Sequence, residues 1–216
     1  MIILNLKTYQ ESIDKTLFFA DIISEVVEKS GVRVILCPPL LHLKSTSDRY
    51  SEVFAQHTDP QKPGAHTGSI PAELIKACGA KGSLVNHSEK RIEYGMIKEI
   101  VGHLHSNSLE SLVCAATTQE AVEIAALRPT FIAVEPPDLI GSGVSVSKAN
   151  PDIVINSVKA IKEAEHSVKV LCGAGVSNKE DVKKAIELGA EGVLLASAFV
   201  RATDPKEFLE DLVSIF

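Results

Sequence analysis

The chain has 216 residues, 45% of them hydrophobic and 23% charged, and this balance is typical of a folded globular protein rather than a disordered one. A formal net charge of −6 argues against a nucleic-acid-binding protein, which would need clustered Lys and Arg. The first residues are interrupted by Asn5 and Lys7 and do not resemble a signal peptide, and no apolar run is long enough to span a membrane. We therefore expect a cytoplasmic protein with neither nucleic-acid nor membrane partners.

Short apolar runs alternate with longer amphipathic stretches along the whole chain. The runs are rich in Val, Ile and Leu without polar alternation, which is typical of strands buried on both faces. The stretches at 19–27 and 182–186 repeat apolar residues at helical spacing, and Gly31 and Gly189 predict the ends of these two helices. The predicted strands cover residues 2–7, 32–37, 52–56, 82–87, 111–115, 130–135, 167–172 and 191–197.

The alternation of strands and helices predicts an α/β fold with parallel strand pairing. Eight units in 216 residues leave about 27 residues for each, which is close to one strand–helix step with short loops. No Pro-, Gly- or Ser-rich linker divides the chain. We therefore predict a single domain over residues 1–216, a (β/α)8 barrel whose helices and loops are shortened most in units two and five.

A doubly wound parallel sheet is the alternative fold, since it also alternates strands and helices. It predicts a G-x-G-x-x-G turn after the first strand, whereas that strand runs directly into Asn5-Leu6-Lys7. A dinucleotide site therefore has no support in the sequence.

In a barrel, catalytic residues gather at the carboxyl ends of the strands. Asn5 and Lys7 end the first predicted strand, His87 the fourth and Glu135 the sixth. Taken singly, a terminal lysine is more often solvated, and a histidine after a strand is more often structural. Their shared position at equivalent strand ends predicts an active site.

Glu135 is followed by Pro136 and Pro137, which stop the strand, and then by a glycine-rich segment. This order indicates a catalytic carboxylate beneath a hinged loop, with residues 136–146 as a lid. The alternative is a carboxylate that caps a strand before an ordinary surface loop.

Seven short motifs are spread over essentially the whole chain. They are N-x-K at 5–7, A-Q at 55–56, H-T-G at 66–68, N-H-S-E-K-R at 86–91, A-V-E-P-P-D-L-I-G-S-G at 133–143, C-G-A-G at 172–175 and L-L-A-S at 194–197. The most specific are H-S-E and E-P-P-x-x-I-G-x-G. Together they resemble the triosephosphate isomerase family in its short archaeal form. The resemblance implies a TIM barrel and the interconversion of dihydroxyacetone phosphate and D-glyceraldehyde 3-phosphate.

The resemblance implies that Glu135 is the general base, moving a proton between adjacent carbons through an enediolate. His87 would polarise the substrate oxygens, and the family is itself the standard example of a neutral histidine in this role. Lys7 would supply positive charge and Asn5 a hydrogen-bond donor.

A helix is predicted to start after His87. Ser88 fits its N-cap and Glu89 its first turn, which would direct backbone amides toward the site. By analogy with the family, Glu89 also orients Lys7.

The resemblance places the substrate phosphate mainly against backbone amides, because the chain has no cluster of arginines. Small side chains let a phosphate approach the main chain, and a short helix after strand eight would add its dipole. The alternative for the turn at 173–175 is an ordinary strand-to-helix connection, with Ser177 and Glu180 as a capping box. The positions that match the family's substrate-binding residues are Ile140, Gly141, Gly175, Ala196 and Ser197.

Residues 64–68 resemble the family loop that inserts into a partner subunit, and the alternative is a surface turn with two glycines. His66 and Thr67 would then be interface residues near the partner's Asn5 and Lys7. We expect a homodimer at least, with a homotetramer possible.

Some positions depart from the family pattern. Longer members carry a Trp in the lid and a Gly pair after strand eight, whereas this chain has no Trp and reads Asp138 and Ala196-Ser197 there. The energetics of lid closure are therefore expected to differ.

No cofactor or metal is expected. The four cysteines lie far apart without C-x-x-C spacing, which argues against a zinc site or a disulfide scaffold. Most of them are expected to be buried, reduced thiols.

Other functions fit a barrel that binds a phosphosugar. Another phosphosugar isomerase would share the phosphate site, and an epimerase would also need paired His and Asp metal ligands at strand ends. A Schiff-base aldolase would need its lysine on a later strand, whereas Lys7 lies on the first. A noncatalytic binding barrel would lack Glu135 or His87, and both are present.

Overall fold

The computed structural model describes residues 1–136 and 150–216, and their strands form one eight-stranded sheet. All eight predicted strands are present. Seven lie within their predicted runs, and the fifth begins one residue earlier than predicted. The strands are β1 (Ile2–Asn5), β2 (Val34–Cys37), β3 (Phe54–Ala55), β4 (Gly82–Val85), β5 (Glu110–Ala115), β6 (Phe131–Val134), β7 (Lys169–Cys172) and β8 (Gly192–Leu195).

The sheet closes into a barrel. Its strand order is β2-β1-β8-β7-β6-β5-β4-β3, and every neighbouring pair is parallel. The remaining gap between β2 and β3 is bridged at Leu36 and Val53, where the Leu36 N–H donates to the Glu52 carbonyl over 2.9 Å. The predicted barrel is therefore confirmed. The doubly wound alternative is wrong, because that open sheet does not pair its first strand with its last, whereas β1 pairs with β8 here.

Helices cover the outer face of the barrel. Gly31, at φ 70°, ends α1 (Gln10–Ser30) and donates its N–H to the Val27 carbonyl. Gly189, at φ 96°, follows α7 (Lys179–Glu187). None of the described helices is long and apolar enough to cross a membrane. The helices are α1 (Gln10–Ser30), α2 (Leu43–Ser47), α3 (Ala72–Ala77), α4 (Tyr94–Ser106), α5 (Thr118–Ala125), α6 (Pro151–Ala164), α7 (Lys179–Glu187), α8 (Ser197–Val200) and α9 (Pro205–Val213), with 3-10 turns at Leu40–His42 and Ser88–Lys90.

Units two and five are the shortest, as predicted. The chain advances 20 residues from the start of β2 at Val34 to the start of β3 at Phe54, and 21 residues from the start of β5 at Glu110 to the start of β6 at Phe131. Unit three advances 28 residues, although its helix has only 6.

The apolar core has two layers, which follow from the alternation of side chains along each strand. In β6, Phe131 and Ala133 pack inside the barrel, whereas Ile132 and Val134 pack beneath the helices. The next inward position on this strand is Glu135. In β1, Ile3 packs inside the barrel, and the next inward position is Asn5. The same periodicity that builds the core therefore turns two polar side chains toward the carboxyl end of the barrel axis.

Ion pairs close the opposite end of the barrel. Arg33 forms a salt bridge of 2.6 Å with Glu52 and a second one with Glu110, and its guanidinium lies 5.7 Å from the centre of the Phe131 ring. This arrangement leaves the carboxyl end as the face on which a cavity opens.

The cysteines are free thiols, as predicted. Cys37, Cys114 and Cys172 are buried, and Cys78 is partly exposed. Burial raises the pKa of the Cys114 thiol, so that side chain stays protonated.

Candidate active site

A cavity of about 300 Å³ lies at the carboxyl ends of the strands. It collects side chains from both ends of the sequence, because β1 and β8 are neighbours in the closed sheet. A second cavity of about 250 Å³ lies on the other side of Lys7 and is lined by Asn5 and Gln56. Of the predicted site residues, those lining the larger cavity are Lys7, His87, Glu135, Gly175, Ala196 and Ser197. Ile140, Gly141 and the other residues of the predicted lid from position 137 onward lie outside the described residues.

Glu135 is a buried carboxyl group at the cavity wall, only 2% exposed. Its Oε2 atom is buried and has no hydrogen-bond partner among the described residues. Burial raises the pKa of Glu135 to about 7, although the Cys114 thiol, the Lys7 charge and the Ser88 backbone amide each favour the ionised form. A carboxylate that titrates near neutral pH is a suitable proton acceptor.

His87 presents a neutral imidazole to Glu135. Its Nδ1 accepts a hydrogen bond of 3.2 Å from the Glu89 N–H, and this assigns the ring proton to Nε2. Nε2 lies 3.8 Å from Glu135 Oε1. Burial, and then the positive charge of Lys7, lower the pKa of His87, while Glu89 acts in the opposite direction. The ring is therefore a neutral hydrogen-bond donor facing the cavity.

The prediction that Ser88 caps this turn is wrong. His87 itself is the N-cap, with an extended backbone, and its ring nitrogen takes the amide that a capping side chain would take. The turn is a 3-residue 3-10 helix rather than the start of an α-helix. The hydroxyl of Ser88 is buried without a partner among the described residues, and it is the backbone amide of Ser88 that acts on Glu135.

Lys7 has a left-handed backbone, at φ 48°. For a residue with a side chain, this conformation costs on the order of 1 kcal/mol. Two neighbours hold it: Asn5 Oδ1 accepts from the Lys7 N–H over 3.0 Å, and Gln56 Nε2 donates to the Lys7 carbonyl over 3.0 Å. The Lys7 ammonium lies 2.6 Å from Glu89 Oε1. Backbone and side chain of Lys7 are thus both fixed.

Gln56 is a functional candidate that lies in the A-Q motif at 55–56 but was assigned no role from the sequence. Its amide also donates to the Cys37 carbonyl over 2.9 Å, so it ties the end of β2 to the end of β1. The available signal was its position just past β3, at the same rim as the other polar residues.

The end of the cavity that is predicted to hold the phosphate is formed by residues after β7 and β8. Gly175 has φ 70°, a conformation that side chains disfavour, and Ala196 immediately precedes α8. The first turn of α8 leaves backbone N–H groups without intrahelical acceptors, and these are suitable partners for an anion. No three His, Cys, Asp or Glu side chains come together within residues 1–136 and 150–216 in a way that would hold a metal ion.

The predicted capping box at Ser177 and Glu180 is wrong by one residue. Asn178 is the N-cap of α7, and its Oδ1 accepts from the Asp181 N–H over 3.0 Å. The Asp181 carboxylate accepts in return from the Ser177 N–H and hydroxyl, over 2.9 and 3.0 Å. The shorter Asp side chain reaches back to the residue before the cap, so the turn closes without Glu180.

Gly173 has a specific steric reason to be glycine. A Cβ atom at this position would lie 2.6 Å from Glu135 Cγ and 3.2 Å from Glu135 Oε1. The sequence indicated only an ordinary turn here. In the structure, the missing side chain provides the space that the Glu135 carboxylate occupies.

His66 and Thr67 are not brought into this site. Both are exposed, and neither lines either of the two cavities beside Lys7.

Comparison with known proteins identifies the family. The family model described as triosephosphate isomerase matches residues 1–215. The chain belongs to the triosephosphate isomerase family. The triosephosphate isomerase of Methanothermus fervidus is 49% identical over 99% of this chain and 97% of its own length. Those of Archaeoglobus fulgidus and Methanocaldococcus jannaschii are 48% and 47% identical, over 100% and 99% of this chain and 97% and 98% of their own lengths.

The family resemblance predicted from the motifs is therefore confirmed, and with it the assignment to an isomerase. The epimerase, aldolase and noncatalytic alternatives are set aside. The contact with Gly173 limits where the Glu135 carboxylate can lie, so a substitution at Gly173 tests whether isomerase activity depends on that position.

Gly173→Ala is expected to lower the isomerase kcat roughly 100-fold, because a small displacement of a reacting group has an effect of this size. The added methyl would push the Glu135 carboxylate away from the cavity. Steady-state kinetics measure the effect.

Gly102→Ala is the matched control, since a Cβ there meets nothing within 4 Å on the exposed face of α4. It should keep the parent turnover and stabilise the helix by about 0.5–1 kcal/mol. Parent-like turnover in a folded Gly173→Ala variant would show that Glu135 does not need this space.

Proposed function

We propose that Glu135 is the general base of the interconversion of dihydroxyacetone phosphate and D-glyceraldehyde 3-phosphate. The observation that supports it best is a carboxyl group with a pKa near 7 that is 2% exposed and lies 3.8 Å from a neutral imidazole. Membership of the triosephosphate isomerase family supplies the substrate and the reaction.

In the proposed mechanism, the Glu135 carboxylate removes a proton from the carbon next to the substrate carbonyl. The electron pair of the broken C–H bond forms the carbon–carbon double bond of an enediolate, and the carbonyl electrons move onto oxygen. The hydroxyl proton on the first carbon passes to the former carbonyl oxygen, so that the negative charge moves to the oxygen of the first carbon. Glu135 then returns its proton to the adjacent carbon, the electrons of the double bond form that C–H bond, and the C–O bond of the first carbon becomes the new carbonyl.

The developing negative charge on oxygen is stabilised from two directions. The Nε2–H of His87 donates a hydrogen bond to it, and the Lys7 ammonium supplies a fixed positive charge. Asn5 acts on Lys7 by holding its backbone amide through Oδ1. Glu89, at 2.6 Å from the Lys7 ammonium, keeps that charge at the cavity wall.

The substrate phosphate is assigned to the other end of the cavity, against Gly175, Ala196 and Ser197. The start of α8 offers backbone amides to it. Ile140 and Gly141 are assigned to the same phosphate on the resemblance alone. A lid of this kind would exclude water and protect the enediolate from phosphate elimination.

Glu135→Gln keeps the shape of the side chain but removes the base, so kcat is expected to fall roughly 1,000-fold. Glu135→Asp keeps a carboxylate that is too short, and its loss should be smaller. A coupled assay with D-glyceraldehyde 3-phosphate measures both. Glu123→Gln, an exposed position on α5, is the control and should match the parent. Unchanged turnover in Glu135→Gln would eliminate this residue as the base.

The raised pKa of Glu135 also predicts two pH effects. Because the base must be ionised, kcat/KM should fall below pH 7, by about tenfold per unit if Glu135 alone controls it. The folded pKa of about 7 exceeds the ordinary value of 4.5, so this group's contribution to stability is present below pH 4.5 and is lost as the pH rises through 7. The loss amounts to about 3 kcal/mol.

Urea unfolding of the parent and Glu135→Gln between pH 4.5 and 8 measures the second effect, at a fixed protein concentration. The Gln variant should lack this pH-dependent loss, while Glu123→Gln should retain it. Identical pH profiles for the parent and Glu135→Gln would contradict the raised pKa.

We also propose that the chain forms at least a homodimer, in which residues 64–68 of each subunit enter the 250 Å³ cavity beside the partner's Lys7. Two observations support it: His66 and Thr67 are exposed, and Leu41, next to the cavity, is 95% exposed. A homotetramer would need a second interface in addition.

Thr67→Glu is expected to shift the sedimentation coefficient toward that of a monomer and to reduce activity, because it adds a charge to the inserted loop. Thr203→Glu makes the same chemical change at an exposed position after α8 and should do neither. If both variants sediment like the parent, the loop does not form the interface.

A further inference from the structure

A second cation lies on the wall of the larger cavity. Arg201 is the residue directly after α8, and it lines the cavity together with Lys7 and the residues assigned to the phosphate. Its guanidinium lies 4.7 Å from the centre of the Tyr9 ring, and Tyr9 lines the cavity as well. Tyr9 precedes α1, so the contact joins the first and last units of the barrel.

The two cations of the cavity differ in how their charge is balanced. Lys7 lies 2.6 Å from a carboxylate oxygen of Glu89. Within the described part of the chain, no carboxylate forms an ion pair with Arg201. The Tyr9 ring fixes the guanidinium by a cation–π contact, and because the ring carries no net charge it leaves the positive charge of Arg201 in place.

The positive charge of Arg201 matters because the net negative charge of the protein repels the anionic substrate. The formal net charge of the chain is −6, and a phosphate monoester carries about −2 near neutral pH. A local positive field in a cleft raises the rate at which an anion arrives. Arginine is also suited to binding phosphate oxygens through its N–H groups.

We propose that Arg201, held in place by Tyr9, is a binding residue that attracts the phosphate of the substrate into the cavity. The inference rests on the proposed function, which puts the phosphate beside Ala196 and Ser197, a few residues before Arg201. It adds a side-chain contribution to a phosphate site otherwise made of backbone amides. Arg201 takes no part in the proton transfer, so its effect falls on kcat/KM for the phosphorylated substrate.

The test compares Arg201→Gln and Arg201→Lys with the parent, using inorganic phosphate as a competitive inhibitor. At low ionic strength, Arg201→Gln should lower kcat/KM for D-glyceraldehyde 3-phosphate and weaken phosphate inhibition, each roughly tenfold. Both losses should shrink as salt is added, because salt screens exposed charges. Arg201→Lys should recover most of kcat/KM. Tyr9→Leu, which frees the guanidinium, should weaken phosphate inhibition by less than Arg201→Gln does.

Arg49→Gln is the matched control, since it removes one positive charge from an exposed arginine that pairs with Asp21 instead of facing the cavity. It should leave kcat/KM and phosphate inhibition at parent values. A loss equal to that of Arg201→Gln would mean that only net charge matters and would overturn the inference.

Turnover of D-glyceraldehyde, which lacks the phosphate, separates phosphate recognition from a structural effect. Arg201→Gln should not change this slow reaction. An equal loss on both substrates, or no loss on either, would overturn the role of Arg201. Titration calorimetry measures the binding of inorganic phosphate to the parent and to Arg201→Gln without any catalytic step. If the parent had no isomerase activity, the proposed function would be rejected. The difference in phosphate affinity between parent and variant would still test the role of Arg201.

Discussion

Burial of the Glu135 carboxyl group is the constraint on which the other features of the site depend. An ionised carboxylate at 2% exposure is unfavourable when one of its oxygens has no hydrogen-bond partner within residues 1–136 and 150–216, and burial raises the pKa of Glu135 to about 7. Full hydrogen bonding would stabilise the folded protein but would lower the pKa of Glu135 and make it a weaker proton acceptor in the proposed mechanism. The Cys114 thiol, the Ser88 amide and the Lys7 charge compensate only in part. Burial of the ionised Glu135 carboxylate therefore lowers the stability of the folded protein and raises the proton affinity of this side chain.

The surrounding backbone is arranged to serve this group. Gly173 leaves the space that Glu135 fills, and Asn5 and Gln56 hold Lys7 in a left-handed conformation that it would not adopt unaided. His87 caps its own turn, which fixes its tautomer and aims Nε2–H at the cavity. Each of these features lies just past the end of a strand. The regular hydrogen bonding between strands has stopped there, so the backbone can adopt other conformations.

The periodicity of the sequence was sufficient for the barrel, because its strands are buried on both faces and read as uninterrupted apolar runs. Alternation along β1 and β6 also placed Asn5 and Glu135 at the same rim. Details that depend on side-chain reach were not predictable in this way. Ser88 and Ser177 both fit cap positions by residue type, yet His87 and Asn178 take those roles, because their side chains reach the orphan amides from extended backbones. The reason for glycine at 173 comes from a neighbouring strand and appears only once β6 and β7 are paired.

Arg201 was missed for a related reason: an isolated arginine at the end of a short helix carries no motif, and only the pairing of β1 with β8 brings it over Tyr9. The two cations of the site, Lys7 and Arg201, differ in how deeply they are buried and therefore in the range over which their charges act. Lys7 is largely buried at 16% side-chain exposure, where charges interact strongly, but its partner Glu89 is 56% exposed, so solvent weakens that pairing. Lys7 therefore keeps part of its field for the reacting oxygens. Arg201, at the exposed mouth, acts over a longer range that salt can screen. The proposed base, Glu135, is buried, whereas the charge that attracts the substrate, Arg201, is exposed to solvent. Solvent therefore limits the effect of Arg201 on the pKa of Glu135, while Arg201 still helps an acidic protein to bind an anionic substrate.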